Sequence, residues 1–144
     1  MVMRVFLLIL LFVLTGCSQN LKVTGTVTFS DDGSPLPHGA VVFETKAKSF
    51  MGRLDKQGRY SIGVEKDGTG IPPGNYKVWL TSTDLEKSDT TDPESESVIT
   101  TQTVDLQYTT PDNSPLSFEV RKNGPRKFDF VVDRPQPADE SKRE

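Results

Sequence analysis

The chain has 144 residues with 17 basic and 20 acidic side chains, a formal net charge of −3, one histidine and one cysteine. A mildly acidic chain without a basic stripe interleaved with aromatics is a poor nucleic-acid binder. A single cysteine excludes an internal disulfide, and a single histidine excludes the multi-imidazole sites of catalytic zinc, so no metal centre or other cofactor is expected.

The chain opens M-V-M-R, with Arg4 as the only charge before an apolar run from Val5 to Leu14 and the small residues Thr15 and Gly16. That layout is a secretory signal. The run spans about 15 Å as a helix, about half a bilayer's hydrocarbon thickness, which is short for a permanent span. Leu14-Thr15-Gly16-Cys17 resembles the lipobox of bacterial lipoproteins, with Thr15 a less common variant. The resemblance implies a diacylglyceryl thioether on Cys17, cleavage between Gly16 and Cys17, and acylation (palmitate) of the new N-terminus. Each buried methylene contributes about 0.8 kcal/mol, so two or three acyl chains hold a small domain firmly on a membrane. Two other outcomes compete. One is an ordinary cleaved signal that leaves Cys17 as a free thiol, a liability in an oxidising compartment. The other is an uncleaved anchor. By analogy with Gram-negative lipoproteins, Ser18 in place of Asp implies sorting to the outer membrane.

Without residues 1–16 the chain has 128 residues and 16 basic against 20 acidic side chains. That length suits one domain with one core. Ten prolines and ten glycines in that remainder, with frequent threonine, valine and phenylalanine, point to an all-β protein. Residues 17–22 read as a tether. V-T-G-T-V-T-F, Val23 to Phe29, alternates apolar and polar residues as a half-buried strand does. S-D-D-G-S-P-L-P-H-G is a turn on composition and leads to a second strand, Ala40 to Thr45, and Ser49 to Leu54 makes a third. D-K-Q-G at 55–58 is a tight turn, with Asp55 accepting backbone N–H groups and Gly58 at positive φ. Arg59 to Val64 is the fourth strand. D-G-T-G-I-P-P-G cannot be regular. Asn75 to Thr81 resumes the alternation, with Tyr76, Val78 and Leu80 inward and Trp79 half-covered on the other face. Residues 84–97 carry six acids and one lysine and read as a solvated acidic loop. Val104 to Tyr108 is a short edge strand. Ser117 to Val120 and Arg126 to Val132 close the domain, and 133–144 is a polar tail expected to be disordered. About seven strands with closely spaced turns is the signature of a β-sandwich.

In this order, G-T-V-T-F-S-D-D-G-S-P-L-P-H-G-A-V-V-F, D-K-Q-G-R-Y-S-I, G-I-P-P-G-N-Y-K-V and the closing K-F-D-F-V-V resemble the carboxypeptidase regulatory-like (transthyretin-like) domain. In particular the order looks like that of the small single-domain lipoproteins abundant in planctomycetes and relatives. The resemblance covers residues 23–132. It implies a seven-stranded, Greek-key, prealbumin-like sandwich with no catalytic residues. It gives structural roles to Gly25 in the first strand, Gly39 in the turn, Asp55, Gly58 and Tyr60 in the hairpin, and Pro73, Gly74 and Tyr76 at the fifth strand. The Tyr76 hydroxyl is expected to cap a backbone group near 70–73, as in a tyrosine corner.

Other chemistry finds little support. His38 sits in a proline-glycine turn and reads as solvent-exposed. The acids Asp84, Glu86, Asp89, Asp92, Glu94 and Glu96 match no calcium-loop spacing and lack a glycine turn. No G-x-S-x-G occurs, and a paired-carboxylate glycosidase would need a cleft that a small sandwich has little room for. The sequence therefore points to a non-enzymatic, lipid-anchored envelope module with a structural, adhesion or accessory role. Its partners would be the membrane, through Cys17, and an envelope protein or glycan. The alternative is a small-ligand or glycan-binding module, with Trp79 exposed beside Tyr108 as a stacking platform.

Overall fold

The computed structural model describes residues 20–63, 70–88 and 98–136. Gly16, Cys17 and the rest of the leader lie outside them. So do Asp89, Asp92, Glu94 and Glu96 and residues 137–144. Strands run over Val23–Phe29 (β1), Ala40–Glu44 (β2), Ser49–Arg53 (β3), Arg59–Ile62 (β4), Gly74–Thr81 (β5), Leu85–Ser88 (β6), Val98–Thr101 (β7), Ser117–Val120 (β8) and Phe130–Val132 (β9).

Seven of these strands make two facing sheets. One has the order β4-β1-β9, the other β3-β2-β5-β8, and β6-β7 stand apart as a hairpin. The larger sheet is antiparallel throughout. In the smaller one β1 runs antiparallel to β4 and parallel to β9. The chain changes sheet between β1 and β2, β3 and β4, β4 and β5, and β8 and β9, which gives a seven-stranded Greek-key β-sandwich.

Binary patterning explains the two layers. β1 buries Val23, Gly25, Val27 and Phe29 and turns its threonines outward, while β5 buries Tyr76, Val78 and Leu80. Phe43 on β2 is fully buried at the centre of an aromatic cluster, 6.0–6.4 Å from the rings of Tyr60, Tyr76, Phe118 and Phe128. Burying one such side chain contributes about 1.5–3 kcal/mol.

The register defines two ends of the sandwich. β1 and β5 start together, where Leu21 bridges Ile71. The turn after Glu44 and the β8–β9 turn lie at this end, because Glu44 pairs with Lys77 and Val120 with Gly74. At the far end are the β1–β2 turn, the exit of β5, and the chain leaving β9.

Four sequence expectations change. The stretch 84–97 is not all loop: Leu85–Ser88 pairs with Val98–Thr101, since β-branched V-I-T-T supplies a partner that the neighbouring acids obscure. Val104 to Tyr108 is not a strand. Leu106–Tyr108 is a 3-10 turn capped by the Asp105 side chain, which accepts from Gln107 N. β4 stops at Ile62 because Gly63 takes φ +88°, outside the strand region. Only Phe130–Val132 of the last segment is strand, while Lys127 makes an isolated bridge to Thr24.

Candidate functional site

The residues expected to be structural fall at four junctions. Gly25 pairs with Tyr60 across β1 and β4, and the Tyr60 hydroxyl donates to the Phe128 carbonyl at 2.6 Å. A Cβ on Gly25 would sit 1.9 Å from that carbonyl oxygen. Burial pushes the Tyr60 phenol well above the usual range, so it remains a donor. The Tyr76 hydroxyl donates to Pro72 O at 2.7 Å, tying β5 to the half-buried Pro73 and Gly74 that lead into it. Asp55 accepts from Gln57 N and Arg59 N, both at 2.9 Å, and from Arg59 Nε at 2.8 Å. These bonds, the Arg59 N–H foremost, lower its pKa. Gly58 sits at φ +69°, and a Cβ there would meet Val27 O at 2.5 Å. A Cβ on Gly39 would meet Thr81 O and the Thr83 side chain at 2.9 Å.

At the far end the chain is locked rather than frayed. Asp133 accepts from Ser30 Oγ at 2.5 Å and from the Tyr108 hydroxyl at 2.9 Å, and its backbone carbonyl accepts from Asp105 N. Arg134 lies over the Phe29 ring, 3.7 Å from its centroid, and donates to Asp31, Asp32 and Ser34 at 2.8–3.1 Å. The hydroxyl and backbone N–H of Ser34, with Arg134 behind them, hold the Asp32 carboxyl down at about 2. Asp133 and Arg134, expected to open a disordered tail, are instead held by charged and hydroxyl partners about a hundred residues away in sequence. His38 is not simply exposed either. It is half-buried, with Nε2 2.5 Å from the Thr83 carbonyl, which also accepts from Thr103 Oγ1.

The outer face of the larger sheet carries a groove that a ligand could enter. Met51, Val42 and Trp79 line up across β3, β2 and β5. Val42 is 2% exposed although it faces outward, between Met51 and Trp79. Trp79 is half-buried, and its Nε1–H donates to Glu44 Oε2 at 2.7 Å. Beside it lies an open groove of about 450 Å³ lined by Glu44, Thr45, Lys46, Asn75, Lys77, Pro111 and Asp112. Its polar groups suit a hydroxyl-rich or charged ligand. Sequence reasoning missed Asn75, Pro111 and Asp112 because they come together only through the fold. The expected pairing of Trp79 with Tyr108 does not form: Tyr108 is a core residue, 6% exposed, with its hydroxyl committed to Asp133.

Among the described residues no three His, Cys, Asp or Glu side chains gather as a metal site. No helix among them is long and apolar enough to cross a membrane.

No family model matches the chain, and no curated protein matches it. Among solved structures it is similar to the major pilin subunit of Bacillus cereus, at 12% identity and TM-score 0.46, over 82% of this chain and 30% of that one. It is also similar to a 9R-lipoxygenase from Cyanothece, at 19% identity and TM-score 0.34, over 81% of this chain and 17% of that one. The chain thus spans less than a third of either protein, and at these identities and TM-scores neither likeness transfers an activity.

Proposed function

We propose that the chain is a carboxypeptidase regulatory-like module, anchored to an envelope membrane through lipid on Cys17, that acts by binding and not by catalysis. The observation that supports binding over catalysis is where the perturbed titratable groups are. Tyr60, Tyr76 and Asp55 hold separate backbone junctions, and Tyr108, Asp133, Asp32 and Arg134 are committed to the far-end latch that holds the chain leaving β9; none of them lines the groove beside Trp79. Catalytic groups with shifted pKa values converge on one cleft. The anchoring rests on the sequence L-T-G-C and on the resemblance it carries. Extraction from the native membrane and an intact mass test it. A mass for residues 17–144 plus acyl chains is expected, and a mass without lipid overturns the anchoring.

A second reading, a glycan-binding module, is favoured by the groove of Glu44, Asn75, Lys77 and Asp112 beside Trp79. Oligosaccharide titration followed by Trp79 fluorescence and by amide shifts of Asn75 and Lys77 tests it. Shifts confined to that face support the glycan reading, and unchanged spectra at millimolar sugar overturn it.

A further inference from the structure

We propose that the end of the sandwich where β1 begins is a docking face for the anionic lipid headgroups of the membrane that holds the chain. This rests on the anchoring proposed above and adds to it the orientation of the domain and the lipid chemistry it meets.

Three segments converge at that end. Residues 20–22 lead into β1, and Leu21 is fixed there by paired backbone bonds with Ile71 at 2.8 and 2.9 Å. The β2–β3 turn reads T-K-A-K at 45–48, and the β8–β9 turn reads R-K-N-G-P-R-K at 121–127. The latter is held against β1 by the bond from Thr24 N to Arg126 O at 2.9 Å. None of the three segments contains an acid. Lys22, Lys46, Lys48, Lys122 and Arg126 are exposed, and among the described residues none has a carboxylate at ion-pairing distance. Arg121 and Lys127, in the same turn, are paired with Glu119 and Asp129 at 3.2 and 2.8 Å. The connector 63–73 at this end includes Glu65, Lys66 and Asp67, which lie outside the described residues.

The far end has no such excess. Asp31 and Asp32 pair there with Arg134, Asp133 accepts from Ser30 and Tyr108, and Arg59 is paired with Asp55. A chain of net charge −3 has therefore collected unpaired cations at one end. It is the end from which residues 17–19 lead to the lipid.

The tether fixes the distance. Three residues, Ser18, Gln19 and Asn20, separate Cys17 from Leu21, so four chain steps give a reach of at most about 14 Å. Leu21 is 4% exposed and cannot swing away. The basic end is thus held near the headgroups, on the scale of the Debye length of about 8 Å at physiological ionic strength. At such range each Lys or Arg raises partition to an anionic surface by about five-fold.

The test uses the full chain extracted from membrane, its lipid read by intact mass. A fluorophore is placed on Asn123→Cys, in the basic turn, or on Lys56→Cys, in the far hairpin, and quenched by a lipid-borne quencher. Vesicles of phosphatidylcholine are compared with vesicles rich in phosphatidylglycerol. The label at 123 should be quenched more strongly on the anionic vesicles than on phosphatidylcholine. Raising salt from about 0.1 M to about 1 M, which shortens the Debye length from about 10 to about 3 Å, should relieve that quenching. The label at 56 should stay unquenched throughout. Adding Lys46→Gln, Lys48→Gln, Lys122→Gln and Arg126→Gln together should abolish the preference for anionic lipid. A lipidated chain whose label at 123 is indifferent to lipid charge overturns the docking face while leaving the anchor in place. An unlipidated chain overturns the anchor, and sedimentation with the same vesicles then decides the face. Salt-sensitive retention on phosphatidylglycerol, reduced by about 600-fold in the four-site variant, supports it, and no retention overturns it.

Discussion

Gly25 of β1 lies directly opposite Tyr60 of β4, and the Tyr60 hydroxyl reaches across the glycine to the Phe128 carbonyl at 2.6 Å. The missing side chain makes room for both groups: a Cβ at 25 would be 1.9 Å from the carbonyl oxygen and 2.7 Å from the hydroxyl. One position therefore joins β1, β4 and the segment entering β9. Gly25→Ala should destabilise the fold by about 3 kcal/mol or more, because the clash is with backbone and cannot be relieved by a rotamer. Tyr60→Phe should cost about 1 kcal/mol by removing the donor to the part-buried Phe128 carbonyl. Urea unfolding of both variants and of the double variant checks this. The double variant should lose less than the sum, since both changes disrupt the same contact.

Tyr76 anchors the entry to β5 through Pro72 O at 2.7 Å. Tyr76→Phe keeps the ring against Phe43 and Phe50 and removes only the donor. A loss of about 1 kcal/mol and a lower Tm are expected. An unchanged Tm would mean that the bond carries no stability.

The far-end latch predicts a pH dependence. Asp32 has its folded pKa at about 2, below the value of about 4 of an unfolded chain. Ionised Asp32 therefore favours the folded state. Its contribution is fully present above about pH 4 and is lost as pH falls towards 2. Asp133 is shifted the same way, first by the Ser30 hydroxyl and then by Tyr108. Thermal melts at pH 7, 4 and 2 should show Tm falling over the acid interval. Asp32→Asn should flatten that fall, and Arg134→Ala should lower Tm at pH 7.

Trp79 should show intermediate quenching by acrylamide, as its half-buried position requires. Glu44→Ala removes the acceptor of its indole N–H and should raise the quenching constant and shift emission to the red. Glu44→Gln, which keeps an acceptor, should restore most of the difference.

Gly58 combines φ +69° with a Cβ position 2.5 Å from Val27 O. Gly58→Ala should therefore cost about 1 kcal/mol for the backbone conformation and more for the contact. The melt should show a larger loss than for Gly33→Ala, where the conformation is alike but the space is open.

The sequence by itself determined the strands whose two faces differ in polarity. β1 and β8 begin and end where alternation places them, and β5 differs by one residue at its start, because a period of two can bury only one face. It also determined the Asp55–Gly58 turn and the Tyr76 corner, since both close within four residues. Tertiary structure alone decided what depends on distant partners. The β6–β7 hairpin is a pairing between strands that are individually polar or short. Asp133 and Arg134 are ordered by Ser30, Asp31 and Asp32, about a hundred positions earlier. The parallel union of β1 with β9 decides that the chain enters at one end and leaves at the other. Bases scattered at 22, 46–48 and 121–127 share that entry end only because strand register brings their turns together.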